Sequence, residues 1–245
     1  MMEERIKDTI KRINAACERS GRSASEVTLI AVSKTKPLHM IEEAYNLGMR
    51  HFGENKVQEL VRKHNDLMEA YGNSIQWHQI GHLQRNKVKQ VIDKSILIHS
   101  VDSIRLGQMI EQEASSKNIV CDVLIQVNIA KEATKEGVNT DELIPLFMEL
   151  IRLPHIRVRG LMTIAPYVTN PEKNREYFSK MRQLFIDIKT KNIDNGLTDI
   201  YYAPDSFNIL SMGMTGDFEV AVEEGATMVR IGTGIFGERD YSDVR

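Results

Sequence analysis

The stretch Val27-Thr28-Leu29-Ile30-Ala31-Val32-Ser33-Lys34-Thr35-Lys36-Pro37 is a short apolar run of β type that ends on an amine. In a (β/α)8 barrel the chemistry is mounted at the C-terminal ends of the strands, and Lys34 would lie at such an end. A lysine that is partly shielded from water can lose its proton and form an imine with an aldehyde. A solvated loop lysine would have the same local sequence, so the rest of the chain decides between the two interpretations.

Strand-like and helix-like stretches alternate along the chain after an opening helix. The opening helix is indicated by apolar residues on one helical face, with Gly21 after them as a stop: Ile6, Ile10, Ile13 and Cys17. The predicted strands lie near residues 27–33, 50–54, 75–81, 95–101, 121–129, 156–164, 207–212 and 227–231. The predicted helices between them lie near residues 38–48, 56–70, 84–93, 103–117, 140–152, 171–191 and 216–224. The stretch 192–206 is predicted to be an irregular connection.

This alternation predicts the fold class. Strands separated by helices form a parallel sheet with crossover connections, and eight strands can close into a barrel that side chains fill. The length of 245 residues suits one domain of this kind, and no linker rich in Pro, Gly or Ser divides the chain. We therefore predict an α/β protein with a single domain over residues 1–245, a (β/α)8 TIM barrel with an extra N-terminal helix. A doubly wound open sheet is the alternative, because alternation alone does not prove closure.

The composition argues against several classes of partner. A formal net charge of −2 gives no electrostatic reason to expect nucleic acid or an anionic membrane. No apolar stretch approaches the ~20 residues that span a bilayer, and the charged amino terminus lacks the apolar region of a secretory signal. Cys17 and Cys121 have no metal-ligand spacing and are predicted to be buried free thiols of a cytoplasmic protein, with a disulfide between them as the alternative. The seven histidines form no metal-binding motif.

Two glycine-rich stretches follow the last two predicted strands. Glycines let backbone N–H groups approach a ligand closely, and neighbouring hydroxyls add donors for an anion. In (β/α)8 barrels the phosphate site commonly lies in the loops after strands seven and eight. The residues that meet this requirement are Ser211, Gly213 and Thr215 in one loop and Gly232, Thr233 and Gly234 in the other. Either loop alone could be a turn with a helix cap from Thr215 or Asp217, but both loops together with Lys34 favour a phosphate site.

Further residues at predicted strand ends have two interpretations each. Arg230 pairs with a structural carboxylate or donates to a ring nitrogen of a bound heterocycle, because an unpaired buried guanidinium is costly. Asn55 is a helix N-cap or a polar ligand contact. His78 is a hydrogen-bonded strand residue or an acid–base group, and Met162 packs in the core or on a flat ring. An imine-forming lysine beside a phosphate cradle describes pyridoxal 5′-phosphate (PLP) held at both ends.

Several longer motifs are specific enough to suggest a family. They are Ala31-Val32-Ser33-Lys34-Thr35-Lys36-Pro37, Phe52-Gly53-Glu54-Asn55-x-Val57-Gln58-Glu59, His78-x-Ile80-Gly81-x-Leu83-Gln84-x-Asn86-Lys87, Gly160-Leu161-Met162, Leu210-Ser211-Met212-Gly213-Met214 and Arg230-Ile231-Gly232-Thr233. In these motifs the chain resembles the pyridoxal phosphate homeostasis protein family, a single-domain group related to the N-terminal barrel of alanine racemase. The resemblance runs from about residue 6 to about residue 239. It departs from the common pattern only at Lys56, where many members carry an aromatic residue or arginine, and at Thr215, where serine is common.

The resemblance implies a PLP barrel of fold type III with the cofactor held as an imine on Lys34. It also implies phosphate contacts from the loops at residues 211–215 and 232–233, and a position for Arg230 near the pyridine nitrogen. The full set of residues that we expect to bind the cofactor is Lys34, Asn55, His78, Met162, Ser211, Gly213, Thr215, Arg230, Gly232 and Thr233. None of these is predicted to be catalytic, and no metal is expected.

The resemblance further implies a role in vitamin B6 and amino-acid balance. Arg230 cannot give up its proton, so it would leave the pyridine nitrogen neutral and a carbanion poorly stabilised. Alanine racemases take their second base from a C-terminal domain, for which a chain ending at Arg245 is expected to have no room. We therefore expect a monomeric PLP carrier rather than an enzyme, which keeps free PLP low and delivers it to transiently bound apo-enzymes. The alternatives are a weak amino-acid racemase with Lys34 as base and a barrel isomerase for a phosphorylated sugar.

Overall fold

The computed structural model describes residues 1–132, 136–190 and 202–238, and its strands form a closed barrel in the order β1 to β8. Neighbouring strands are parallel all the way round, and β8 pairs with β1 to close the barrel. The strands are β1 (Thr28–Val32), β2 (His51–Glu54), β3 (Gln76–Gln79), β4 (Leu97–Val101), β5 (Cys121–Gln126), β6 (Ile156–Met162), β7 (Ile209–Met214) and β8 (Met228–Ile231). The predicted (β/α)8 barrel is confirmed, and the open sheet is excluded.

Helices connect the strands and cover the outside of the barrel. They are α1 (Met2–Arg19), α2 (Leu38–Asn46), α3 (Val57–Tyr71), α4 (Val88–Val91), α5 (Ile104–Ser116), α6 (Leu143–Leu150), α7 (Arg175–Lys189), α8 (Phe218–Glu223) and α9 (Thr233–Phe236). The short helix α9 after β8 was not predicted. The irregular connection predicted at residues 192–206 lies outside the described residues up to residue 201, and Pro204–Ser206 form a 3-10 turn. Within the described ranges, no helix has the length and apolar character needed to cross a membrane.

The opening helix α1 packs against α8 and α9, and its buried face differs from the predicted one. The prediction is wrong at Ile10, whose side chain is 43% exposed. Thr9 takes its place in the buried stripe, with its hydroxyl 3.5 Å from the carbonyl oxygen of Gly234. The reason is angular: the buried stripe also contains Met2 and Ala16, which lie on the Thr9 side of the helix, so Ile10 falls just beyond the opposite edge of the stripe.

The barrel interior is filled in layers. Its lower layer is an apolar cluster of Leu97, Leu124, Met162 and Ile209, with Met228 packed against it. The next layer is polar and buried, and its members are His78, His99, Ser211 and Arg230. Because side chains alternate along a strand, Ser211 follows Ile209 and Arg230 follows Met228 on the same inner face. The larger apolar core lies between the sheet and the helices and includes Trp77.

Strands β6 and β7 approach each other closely at Gly160. This residue has φ +151, in the region that favours glycine, and an added Cβ would overlap the backbone of Ile209. The pairing of β6 with β5 also shifts register at this level, between Val123 and Leu124. Gly160 therefore allows an irregularity in the wall of the barrel that a larger residue would force apart.

We expect Gly160→Ala to lower the free energy of unfolding by about 3 kcal/mol, because backbone strain and displacement of β7 add together. Denaturant unfolding of the cofactor-free protein measures this loss. The control is Gly216→Ala, since an added Cβ at Gly216 has no heavy atom within 4 Å; its stability should stay within about 0.5 kcal/mol of the parent. Equal stabilities of the two variants would show that β7 moves aside at no cost.

Candidate functional site

The C-terminal mouth of the barrel opens into a cavity of about 620 Å³. Small-molecule sites typically have about 300–1,000 Å³, so the cavity suits a ligand of that size. Lysines from the segments after β1 and β2 lie in its wall, namely Lys34, Lys36 and Lys56. The glycine-rich loops after β7 and β8 supply another part of the wall. The cavity therefore joins the two features that the sequence singles out.

Lys34 reaches this cavity from the segment that follows β1. The strand ends at Val32, and Lys34 comes two residues later with a half-buried side chain. Thr35 has φ +65, an uncommon value for a residue other than glycine. The chain thus turns sharply just after the lysine, and other groups must hold this turn in place.

Below the Lys34 segment lies an ion cluster that consists of Glu54, Glu59 and Lys63. The Lys63 ammonium donates to Glu54 Oε1 at 2.8 Å and to Glu59 Oε1 at 2.7 Å. The side chains of Lys63 and Glu54 have no exposed surface. Burial raises the pKa of the Glu54 carboxyl, and the Lys63 ammonium opposes that rise. Removing one partner of such a buried pair is costly, because the other charge is left without solvent or counter-charge.

Both neighbours of Lys34 are bonded to the ion cluster. The Ser33 carbonyl accepts a hydrogen bond from the cluster's ammonium at 2.7 Å, and the Ser33 hydroxyl donates to Glu54 Oε1 at 2.6 Å. On the other side, the Thr35 N–H donates to Glu59 Oε1 at 2.6 Å. The backbone is therefore fixed on each side of Lys34.

The two glycine-rich loops meet at the cavity wall. Gly213 has φ +90, an added Cβ would lie 2.6 Å from the Cβ of Ala221, and the pairing of β7 with β8 shifts register here. This irregularity brings the β7 loop against the β8 loop, where Thr215 Oγ1 accepts a 3.5 Å hydrogen bond from the Gly234 N–H. The residues of these two segments that line the cavity are Met214 at the end of β7, Thr215 and Gly216 after it, Gly232 after β8 and Thr233 at the start of α9. Their backbone and hydroxyl groups form the type of surface that holds an anion.

Neither Asn55 nor Asp217 caps a helix with its side chain. Asn55 is not the N-cap of α3, because Lys56 occupies that position, and Asn55 lines the cavity instead. Asp217 is the N-cap residue of α8, but its side chain makes no capping bond. Its carboxylate accepts from the Met214 N–H at 2.7 Å and from the Asn174 amide at 2.8 Å. Asp217 thus fixes the loop after β7 rather than the start of the helix.

Arg230 is almost completely buried, with 4% of its surface exposed, yet it forms part of the cavity wall. It donates to Ser211 Oγ at 2.6 Å and to the Thr163 carbonyl at 2.9 Å. Both acceptors are uncharged, and the described residues show no carboxylate bonded to it. Burial lowers the pKa of Arg230 to about 10, so the guanidinium stays charged at neutral pH. With five N–H donors, the group retains donors for a ligand in the cavity.

The predicted site residues divide between the cavity wall and the layer behind it. Those that line the cavity are Lys34, Asn55, Thr215, Arg230, Gly232 and Thr233. Those outside the lining are His78, Met162, Ser211 and Gly213. Met162 belongs to the lower apolar cluster, Ser211 bonds to Arg230, and His78 bonds to two other histidines. Cofactor binding stays a prediction for the whole set. The geometry of the buried members favours support of the residues in the cavity wall over direct contact with a ligand.

Several residues of the cavity wall are not predicted from the sequence. Ile80, Gln126 and Ile164 line it near the ends of β3, β5 and β6. The alternation of side chains along a strand could have predicted these three residues. Each lies two positions after an inward-facing side chain and therefore on the same face of its strand. Rim residues from loops, such as Glu136, carry no such periodic signal. The histidines His51 and His99, which extend the polar layer below the cavity, were missed as well.

Comparisons with known proteins extend over the whole barrel. Residues 4–240 match the family described as alanine racemase, N-terminal domain. The chain is 45% identical over 242 residues to the pyridoxal phosphate homeostasis protein of Aquifex aeolicus, covering 97% of this chain and 98% of that protein. It is 40% identical over 233 residues to the protein of the same name from Escherichia coli K12, covering 94% of each. Among solved structures, PipY of Synechococcus elongatus with PLP bound has a TM-score of 0.78 and 32% identity, covering 97% of this chain and 100% of that one.

Lys63→Met should lower the free energy of unfolding by about 3–5 kcal/mol near pH 8, because the buried Glu54 carboxylate loses its cation. The loss should be smaller near pH 5. Burial already raises the pKa of Glu54, and without Lys63 that pKa rises further, so Glu54 takes up a proton in the folded state and the uncompensated charge disappears. Denaturant unfolding at the two pH values measures both effects.

The control for this variant is Lys7→Met, which breaks an exposed ion pair between Lys7 and Glu3 with N–O distance 2.6 Å. Exposed pairs contribute little to stability, so this control should unfold like the parent at both pH values. Equal losses for Lys63→Met at low and high pH would contradict a buried, uncompensated carboxylate.

Proposed function

The chain belongs to the pyridoxal phosphate homeostasis protein family, and on that premise we propose that it binds PLP in the barrel-mouth cavity through a covalent bond to the Lys34 amine. The curated relatives carry the family's name, and the Synechococcus elongatus structure is described as PipY with PLP bound. The observation that carries the proposal is one cavity lined by a half-buried lysine, two glycine-rich loops and a buried arginine.

The donors around the cavity fit the chemistry of PLP. An aldehyde needs an amine, which Lys34 supplies on a backbone fixed at both neighbouring residues. A phosphate needs several N–H and O–H donors, and the loops that contain Thr215, Gly216, Gly232 and Thr233 offer them. A pyridine nitrogen needs a donor, which the charged Arg230 provides. Asn55 adds a polar contact, while His78, Met162, Ser211 and Gly213 act from behind the wall.

Arg230 also favours a carrier over an enzyme. Bound PLP supplies an electron sink whose strength depends on a protonated ring nitrogen, which enzymes commonly secure with a carboxylate partner. Arg230 is a charged donor with uncharged partners in the described structure, so it offers this nitrogen a hydrogen bond without giving up its proton. We therefore infer that the protein takes up PLP, keeps its free concentration low and delivers it to apo-enzymes. Weak amino-acid racemisation, with Lys34 as base, is the alternative.

The remaining parts of this proposal concern organisation and partners. We infer that residues 1–245 form one domain that works as a monomer, because a single chain supplies the cavity wall. Cys17 and Cys121 are free and buried, which suits a reducing compartment such as the cytoplasm. The apo-enzymes would bind only transiently. The net charge of −2 provides no attraction to nucleic acid or to an anionic membrane.

The covalent bond to Lys34 predicts a visible absorption band after incubation with PLP. Borohydride should remove the band and leave a cofactor-sized mass on the peptide that contains Lys34. Lys34→Ala should lose the reducible band yet keep some PLP through the phosphate loops, because these donors do not depend on the amine. Absorption spectroscopy, equilibrium dialysis and peptide mass spectrometry measure the three outcomes.

Lys36→Ala tests the nearest alternative anchor, since Lys36 also lines the cavity. This variant should keep the reducible band and the mass on Lys34. Loss of the band in Lys36→Ala, together with an unchanged band in Lys34→Ala, would place the covalent bond on Lys36. A parent protein that takes up no PLP at all would overturn the proposed function.

An assay of the PLP-loaded protein with L- and D-alanine or serine separates the carrier from the racemase. The carrier predicts turnover far below about 1 per second, the lower end of common enzyme rates, and transfer of PLP to an added apo-enzyme. Racemisation at or above about 1 per second would contradict the carrier role. Lys34→Ala is the control for any slow turnover, because it removes the proposed base.

A further inference from the structure

A chain of hydrogen bonds runs from Arg230 through the barrel interior to its lower end. Ser211 Oγ, which accepts from Arg230, lies 3.0 Å from His99 Nδ1. His99 Nε2 lies 3.0 Å from His78 Nδ1, and His78 Nε2 lies 3.0 Å from His51 Nδ1. The contact between His99 on β4 and Ser211 on β7 has to cross the interior, because these strands are not neighbours in the sheet. We refer to the three histidines as the imidazole chain.

The three imidazoles are neutral at physiological pH. Burial lowers the pKa of His78 to about 3 and lowers that of His99 well below its ordinary value, where the neighbouring His78 and the charge of Arg230 lower it further. Burial also lowers the pKa of His51, which forms the half-buried end. A neutral imidazole has one donor and one acceptor nitrogen. The hydrogen bonds of the imidazole chain must therefore all point in the same direction.

Arg230 selects that direction. Within the described part of the chain, the hydrogen bonds of Ser211 Oγ are those to Arg230 and to His99. If His99 donated to Ser211, the hydroxyl hydrogen would be buried without an acceptor, at a cost of about 1–3 kcal/mol. If Ser211 donates to His99 Nδ1, every group is satisfied and the hydroxyl hydrogen points away from the cation. His99 then carries its hydrogen on Nε2 and donates it to His78 Nδ1. His78 in turn donates from Nε2 to His51 Nδ1, which leaves the hydrogen of His51 on its Nε2 as well.

We propose that the imidazole chain is a positioning device for Arg230, with all three histidines in the Nε2–H tautomer. In this arrangement the negative end of each dipole points toward the guanidinium, and chains of hydrogen bonds strengthen one another. The dipoles thereby stabilise a buried cation whose hydrogen-bond acceptors in the described structure are uncharged. A second part of this inference rests on the proposed function. When PLP is bound, the imidazole chain holds Arg230 against the ring nitrogen of PLP as a charged donor, so that this nitrogen stays unprotonated. His51, His78 and His99 touch no ligand in this role.

The tautomers can be measured in the cofactor-free protein by nitrogen-15 NMR of the histidine side chains. We expect Nε2 protonated and Nδ1 bare at His51, His78 and His99 near neutral pH. Ser211→Ala disconnects the imidazole chain from the cation, so it should introduce a population with the hydrogen on Nδ1. A parent protein with Nδ1–H at His99, or with a charged imidazolium at any of the three, would overturn the proposal.

Cofactor affinity tests the positioning role. His99→Leu should raise the dissociation constant for PLP about ten-fold, because Arg230 loses the acceptor chain behind Ser211. His99→Asn places a side-chain oxygen near the position of Nδ1 and should keep the dissociation constant within about three-fold of the parent. His39→Leu, at an exposed position of α2, is the control and should bind like the parent. Thermal unfolding without cofactor shows whether each variant is folded at the titration temperature.

The outcomes separate this inference from the proposed function. Parental affinity in His99→Leu, or equal weakening in His99→Leu and His99→Asn, would overturn the positioning role even if PLP binds at Lys34. Failure of the parent to bind PLP would overturn the proposed function, while the tautomers would still decide whether the imidazole chain is directed by Arg230. If His99→Leu does not fold, the comparison of the parent with Ser211→Ala by NMR decides the question alone.

Discussion

Burial of the Arg230 guanidinium inside a closed barrel is the constraint on which the site depends. A charge in this position has only 4% of its surface exposed, so most of its acceptors must come from side chains or carbonyls on other strands. Here they are the Ser211 hydroxyl and the Thr163 carbonyl. Neutral acceptors leave the cation charged but only partly compensated, which is why a polarised chain of imidazoles behind Ser211 has a physical role. Closure of the barrel buries Arg230 and brings the other polar side chains of its layer, namely His78, His99 and Ser211, behind it.

The proposed anchor Lys34 and the buried Arg230 are supported by neighbouring groups in different ways. Ionic groups support Lys34: the ion cluster bonds to its neighbours Ser33 and Thr35 and fixes the backbone. Neutral dipoles support Arg230, and they fix its side chain instead. The difference fits the chemistry that we propose, because a lysine that forms a covalent bond with a ligand gains from a backbone that holds its amine at the cavity. An arginine that only donates hydrogen bonds gains from being held still.

Much of the fold and part of the site could be predicted from the sequence. The strands and their connecting helices follow from hydrophobic period and turn residues, and Lys34, Arg230 and the glycine-rich loops follow from their places at strand ends. The error at Ile10 arose because helical spacing alone does not show which face of α1 is buried. The buried face contains Thr9, whose hydroxyl contacts the Gly234 carbonyl, and Ile10 is left exposed. His51 and His99 could not be linked to Arg230 from sequence, because their contacts join strands far apart in the chain. Register and barrel closure, which no local pattern encodes, bring them together.

The support behind Arg230 also bears on the difference between a carrier and an enzyme. A catalyst based on PLP gains from a group that stabilises a protonated ring nitrogen, since this strengthens the electron sink. In the proposed complex the charged Arg230 opposes protonation of that nitrogen. Among the described residues the hydrogen-bond acceptors of Arg230 are uncharged, and the Asp217 carboxylate acts on it only through its charge, which raises the pKa of Arg230. On the proposed function, such a site binds PLP by its aldehyde and phosphate while leaving its reactivity low. Low reactivity is what a delivery protein requires, because a cofactor that reacts on its carrier is lost to the apo-enzyme that needs it.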